Sequence, residues 1–367
     1  MILSIRIILL SLMLGIILPS GAESGVRDVF DMFRNMNKST FDGPIPELTN
    51  GGTIDVAIIG GGCAGLSAAM VTSEHGFNTI VFNGPMPGGD LNVKTEVGNW
   101  PGIKFSWGNN LIPDLIKQAN KFGTKILNED VLKIDFSKKP FLLTTNLGNE
   151  YKVKKVLIAT GTKERLLDVP GAAENRTKLL YNSDIHKDLG EYHKQAKGQK
   201  VAIIGGGVDA MKKTFYALKG GAAEVHMFVR GTQLNLPPWR KKFIDKKSDV
   251  IKIHFNHDVS KIESLGDKTM RLYFKNESLS SFDAGLVVVS AGRLPRSDLF
   301  KGHLDLDQKG LIKVTQNTQQ TSVDGVYAAG DVTNVSGPQP QAGIAAGDGM
   351  RGGYSIVDAL ISELMMS

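Results

Sequence analysis

One local pattern occurs twice in this chain and limits its fold more than any other feature: an apolar strand, a glycine turn and a helix. The first copy reads Ile54-Asp55-Val56-Ala57-Ile58-Ile59, then Gly60-Gly61-Gly62-Cys63-Ala64-Gly65, then helix-forming residues over 66–75. The second begins at Lys200 with Val201-Ala202-Ile203-Ile204, turns through Gly205-Gly206-Gly207-Val208-Asp209-Ala210 and continues as a helix over 211–219. Unbroken apolar strands of this kind are buried on both faces of a parallel sheet. Gly60 permits the tight bend, Gly62 lets the backbone approach a pyrophosphate, and Gly65 lets the helix pack closely on the strand. The helix start then offers unpaired amide N–H groups and a positive dipole end to phosphates. One such turn is a weak signal, but two, each between a strand and a helix, imply two bound dinucleotides.

A chain of 367 residues has room for two compact domains and an interior large enough for a big cofactor. Its 42 glycines against 14 prolines, without polar tracts or a repeat of solenoid period, place it among globular α/β proteins. Residues 131–136, 141–145 and 153–159 read as a three-stranded meander joined by Lys138-Lys139-Pro140 and Gly148-Asn149. A further apolar strand over 285–290 precedes Ala291-Gly292, and Gly325-Val326-Tyr327-Ala328-Ala329-Gly330-Asp331 precedes the last helix.

The first residues carry Arg6, an apolar run over 7–18, then Pro19, Ser20, Gly21 and Ala22. That order reads as a secretory signal over 1–22, cleaved near Ala22, with an uncleaved anchor as the alternative. Either outcome takes the body of the protein out of the cytosol, to the periplasm or the exterior, with no stable membrane span expected after cleavage. Residues 23–52 are polar and broken by Gly43, Pro44, Pro46, Gly51 and Gly52, which suits an N-terminal extension. Cys63 is the only cysteine, so no disulfide forms within the chain. The net charge of +6 is spread over patches such as Arg240, Lys241, Lys242, Lys246 and Lys247, without interleaved aromatics. These read as a solvated helix face rather than a nucleic-acid surface.

The strand after the first turn ends Ile80-Val81-Phe82-Asn83-Gly84, where an Asp or Glu ordinarily holds a ribose hydroxyl, and Asn83 replaces that carboxylate only in part. Cys63 stands at a helix start, which lowers a thiol pKa, yet a turn covered by cofactor favours a small packed residue over a nucleophile.

Pro87-Gly88-Gly89-Asp90-Leu91 through Thr95-Glu96-Val97-Gly98-Asn99-Trp100-Pro101-Gly102 resembles the low-molecular-weight thioredoxin reductases. So do Ala159-Thr160-Gly161-Thr162, Ala291-Gly292-Arg293, Ala329-Gly330-Asp331-Val332 and Pro340-Gln341-Ala342-Gly343-Ile344-Ala345-Ala346-Gly347. The resemblance implies an α/β chain with two Rossmann-like domains in three-layer ββα form, the second inserted into the first. The expected segments are 53–166 and 290–367 for FAD and 167–289 for a nicotinamide nucleotide, with crossings near 162–169 and 290–293. By position Gly60, Gly62, Gly65, Gly89, Leu91, Asn99, Val131, Thr160, Gly161, Gly330, Asp331, Gln341 and Ala342 would line FAD. A carboxylate after Gly330 also suits a ribityl hydroxyl, with a plain helix cap as the alternative. Gly205, Gly207, Ala210 and Arg230 would hold NADPH or NADH, and a homodimer without a metal is expected.

The chain departs from the family where electrons leave. The family's CxxC followed by Asp aligns with Tyr181-Asn182-Ser183-Asp184-Ile185-His186, so Asn182 and Ile185 replace the cysteines and His186 the acid. Neither replacement undergoes thiol–disulfide exchange. Asp184 and His186 form either a proton relay or a surface polar pair, the latter being the simpler expectation. Met211-Lys212-Lys213 stands where an acidic helix start is expected, putting positive charge at an end that repels it. Of the family's arginine cluster for a 2′-phosphate, only Arg230 remains, beside Gly231 and Asn235. The expected function is an FAD-dependent NAD(P)H oxidoreductase delivering electrons from flavin to an unknown acceptor, like the flavodoxin- or ferredoxin-reducing relatives. The alternatives are a silent exported FAD-binding scaffold and direct oxidation of substrate dithiols.

Overall fold

The computed structural model describes residues 52–366, except 94, 248, 267–268, 276–277 and 337–340. The expected signal over 1–22 and the extension up to residue 51 lie outside the described residues. Among the described residues, contacts give two compact units: 52–89, 112–160 and 297–366 form the first, and 90–111 with 161–296 the second.

In the first unit the strand Thr53–Ile59 lies between Thr79–Phe82 and Glu150–Ile158 and runs parallel to both. Lys125–Leu127 extends one side of the sheet, Phe141–Thr145 and Val131–Asp135 the other as the expected meander, and Val326–Ala328 pairs with Glu150–Ile158. The apolar run over 56–59 is needed because both faces of this strand are covered. Ile54, Ala57 and Ile59 pack with Phe82, Leu143 and Phe300. Val56 and Ile58 pack against Ala68 and Val71 of helix Cys63–Glu74 and Ile356 and Leu360 of helix Ala342–Met366. Each such Val, Ile, Leu or Phe side chain stabilises the fold by roughly 1.5–3 kcal/mol relative to exposure.

The second unit is built on a five-stranded parallel sheet in the order Leu179–Leu180, Leu286–Val289, Lys200–Ile204, Glu224–Val229, Ile251–Phe255. Helices Leu189–Ala196 and Val208–Lys219 cover one face through Tyr192, Ala196, Ala210 and Ala217. An antiparallel sheet of Val259–Ser264, Met270–Phe274 and Ser281–Ala284 covers the other through Val259, Ile262 and Leu272. The result is the expected three-layer ββα arrangement.

The units divide at different places from the expected 53–166, 167–289 and 290–367. Strand Thr162–Glu164 pairs antiparallel with Arg293–Pro295, so one ladder holds both chain crossings inside the second unit. Residues 90–111 join that unit too, because Arg293 donates to Asp90 and to Thr162 Oγ1, the latter at 2.6 Å.

Candidate functional site

The first turn carries out the steric tasks its glycines imply. Gly60 sits at φ +113°, and a Cβ there would collide with the Ala159 carbonyl. At Gly65 a Cβ would strike the Gly60 carbonyl, so only glycine lets the helix start this close to the strand end. Gly62 faces open space, with nothing within 4 Å of an added Cβ. It is also the N-cap of helix Cys63–Glu74, without a side-chain cap and without an acid in the first turn. That leaves amide donors and a positive dipole end directed at an approachable face, the arrangement that binds an anionic pyrophosphate.

Other expected residues of the first unit gather at this helix start. The ideal Cβ of Gly89 lies 3.5 Å from the Gly62 Cα, and that of Gly330 lies 2.9 Å from the Ala64 Cβ. Thr160 N is 3.1 Å from the ideal Cβ of Gly60. Asp331 is near enough to act electrostatically on Cys63, whose thiol is pushed up to about 12 by burial first and then by that carboxylate. Cys63 is therefore a packed thiol and not a nucleophile. Gln341 precedes helix Ala342–Met366, in which Ala345 also touches the Gly330 position.

Asn83 is buried at the end of strand Thr79–Phe82, donating to Asn128 Oδ1 at 3.3 Å. Its own Oδ1 is buried without a donor, an acceptor left over at the strand end where a dinucleotide's ribose is ordinarily held. Val131 is buried beside a carboxylate that sequence reasoning missed. Glu129 accepts from Thr145 Oγ1 at 2.6 Å, Tyr151 OH at 2.9 Å and Asn149 Nδ2 at 3.2 Å, which fixes the loop leading to Val131. Leu91, Asn99 and Gly161 belong to the second unit. The Leu91 carbonyl there excludes any side chain at position 108.

The second turn repeats the backbone plan. Gly205 has φ +138° and leaves no room for a Cβ against the Ser290 carbonyl, and Gly207 is an uncapped N-cap facing open space. Ala210 replaces the third glycine and is fully buried. Arg230 is exposed just beyond strand Glu224–Val229. The expected repulsion at this helix start is corrected by the structure. Helix Val208–Lys219 carries Asp209 in its first turn, and Lys213 turns inward until its side chain is 1% exposed.

Lys213 Nζ donates to Asn182 Oδ1 and lies 3.4 Å from His186 Nε2. Burial lowers its pKa to about 8, and His186 is held at about 4 by burial first and then by the lysine's charge, so the imidazole is neutral. The segment aligned with the redox motif is thus a short helix, Asn182–Lys187, fixed from several sides. Ser183 N and Oγ donate to Glu164 at 2.6 and 2.9 Å, Arg176 pairs with Asp184 at 3.2 Å, and Ile185 is buried. Tyr181 is buried too, and its hydroxyl accepts from Leu167 N at 3.2 Å. Asp184 and His186 have separate partners, Arg176 and Lys213. The missed residue here is Lys213; nothing in a linear reading announces a buried lysine.

A family model described as pyridine nucleotide-disulphide oxidoreductase matches residues 54–349. The thioredoxin reductase of Rickettsia felis is 33% identical over 310 residues, covering 81% of this chain and 95% of that protein. Among solved structures, T. acidophilum thioredoxin reductase is 27% identical with a TM-score of 0.69, covering 84% of this chain and 99% of that one. Lactococcus lactis thioredoxin reductase matches in fold, with a TM-score of 0.71 at 23% identity over 85% of this chain and all of that one. With an open glycine turn in each unit, the chain belongs to the pyridine nucleotide-disulphide oxidoreductases, among their low-molecular-weight thioredoxin reductase-like FAD members.

Proposed function

We propose that the chain is an FAD-dependent NAD(P)H oxidoreductase that passes electrons from flavin directly to an acceptor, without a disulfide of its own. Bound FAD supplies the chemistry of hydride acceptance and electron release. The open helix start at Gly62 holds the pyrophosphate, Asn83 Oδ1 accepts from a ribose hydroxyl, and Asp331 accepts from the ribityl chain. The helix start at Gly207 holds the nicotinamide nucleotide, and Arg230 supplies the charge that favours a 2′-phosphate. One observation carries the reading: the chain's single cysteine is buried and protonated beside the first turn, while the segment aligned with the redox motif presents Asn182 and buries Ile185.

A second reading, a scaffold that binds FAD and does no catalysis, is supported by the replacements Asn182 and Ile185 at the redox motif and by Gly231 beside Arg230, the one arginine left of the family's cluster. Anaerobic addition of NADPH or NADH to the purified protein separates the two. Bleaching of the flavin absorbance by either nucleotide is expected, and a yellow protein that neither bleaches is the scaffold. The same reading takes the protein to the secretory route through residues 1–22 and has it work as a homodimer. Among the described residues no helix is long and apolar enough to cross a membrane.

A further inference from the structure

We propose that the outer face of the short helix Pro238–Asp245 is a docking surface for an anionic phospholipid bilayer. The helix starts on Pro238, whose fixed φ and missing N–H suit a first helical position. Buried Ile244 packs into the core of the second unit with Leu234 and Val229, which fixes the opposite face toward solvent. On that face stands Trp239, 59% exposed, with the Arg240 guanidinium 4.8 Å from its ring centroid. The guanidinium lies over one face of the indole and orients it.

Lys242 and Lys246 follow Trp239 at i+3 and i+7, so they share its side of the helix, and Lys241 and Lys247 are exposed beside them. The stretch 240–247 holds five cations and one acid in sequence, with Asp249 just beyond, which concentrates part of the chain's net charge of +6 in one place. Hydration of a lysine patch alone leaves the indole unexplained, since tryptophan is costly to expose and prefers the headgroup level of a membrane. A lone aromatic flanked by lysines is poor for stacking successive bases, and it suits a surface that is apolar below and anionic above.

The test is flotation of the full chain with vesicles of phosphatidylcholine alone or with about 30 mol % phosphatidylglycerol. Residues 1–22 are the same in parent and variants, so the difference between them reports the patch. Binding is expected to favour the anionic vesicles, weaken with added salt, and shift Trp emission to the blue. K242E/K246E should lower the preference more than tenfold, at about fivefold or more per lysine. W239A should abolish the blue shift, and circular dichroism should show both variants folded. Equal binding to the two vesicles, or variants that bind as the parent does, would overturn the assignment. So would displacement of the vesicles by NADPH, which gives the patch to nucleotide, or by polyglutamate in preference to lipid, which gives it to an acidic protein.

Discussion

Around Gly62 the helix start is bare: no cap, no acid, and an unsatisfied Asn83 oxygen at the neighbouring strand end. Around Gly207 the same backbone carries Asp209 in its first turn, Ala210 in place of a glycine, and a lysine drawn away to Asn182. Two copies of one motif therefore differ in their tolerance of change. The first depends on a backbone approach that no side chain can share, whereas the second has already accepted a methyl group and a charge. The steric plan suits phosphate in both, and the surrounding residues decide how well.

The sharpest way to break the comparison is at the third small residue. Gly65→Val would drive a branched side chain into the Gly60 carbonyl and should cost more than about 3 kcal/mol, with loss of bound flavin. The converse Ala210→Gly should cost about 1 kcal/mol and leave flavin absorbance unchanged. Comparable losses from both substitutions, measured by thermal melts and flavin content, would mean the turns are equally strained.

Acid should separate the units next. The histidines held below their ordinary range, His186, His193, His226 and His254, all lie in the second unit. His254 is at about 4 through burial and then the charges of His226 and His257. In the unfolded chain these imidazoles titrate near 6.5, so between about 6.5 and 4 the folded state binds fewer protons. Stability present above about pH 6.5 is lost as pH falls toward 4. His186 alone contributes about 2–3 kcal/mol, and the more exposed His254 less. Hydrogen exchange, corrected for intrinsic rate, should show second-unit peptides opening between about pH 6.5 and 5 while first-unit peptides stay protected. Simultaneous opening of both units would remove the histidines as the cause.

Smaller effects sharpen the picture within the second unit. Arg230→Ala should raise KM for NADPH about tenfold and leave KM for NADH nearly unchanged, because an exposed guanidinium contributes about one charge-assisted hydrogen bond. Asn182→Cys would place a thiol against Lys213. Its pKa, followed by thiolate ultraviolet absorbance, should fall about one unit below 8.5. A thiol at or above 8.5 would show that the ammonium does not reach position 182.

What sequence could reveal follows from range. The glycine turns and the flanking strands are encoded by contiguous residues, the ββα form came from the family resemblance, and the missing cysteines are a matter of identity. Lys213 reads as surface charge until the fold brings residue 182 within reach of residue 213. The imidazole stack escapes for the same reason: His226 Nδ1 meets His254 Nε2 at 3.0 Å across adjacent strands, against Phe228 and Phe282. Glu129 likewise finds its three donors on residues 145, 149 and 151. Polar groups that pair at long range carry no local periodicity. The division of the units also followed pairing at a distance, through the Thr162–Glu164 and Arg293–Pro295 ladder, rather than any boundary in composition.

The central claim is that flavin is the chain's sole redox store, and counting electrons tests it most directly. In an anaerobic titration of the purified flavoprotein with NADPH or NADH, full reduction should consume one nucleotide per flavin, because FAD takes up two electrons and no disulfide takes two more. Two nucleotides per flavin would reveal a second two-electron centre and contradict the claim, as would a colourless protein that takes up no FAD.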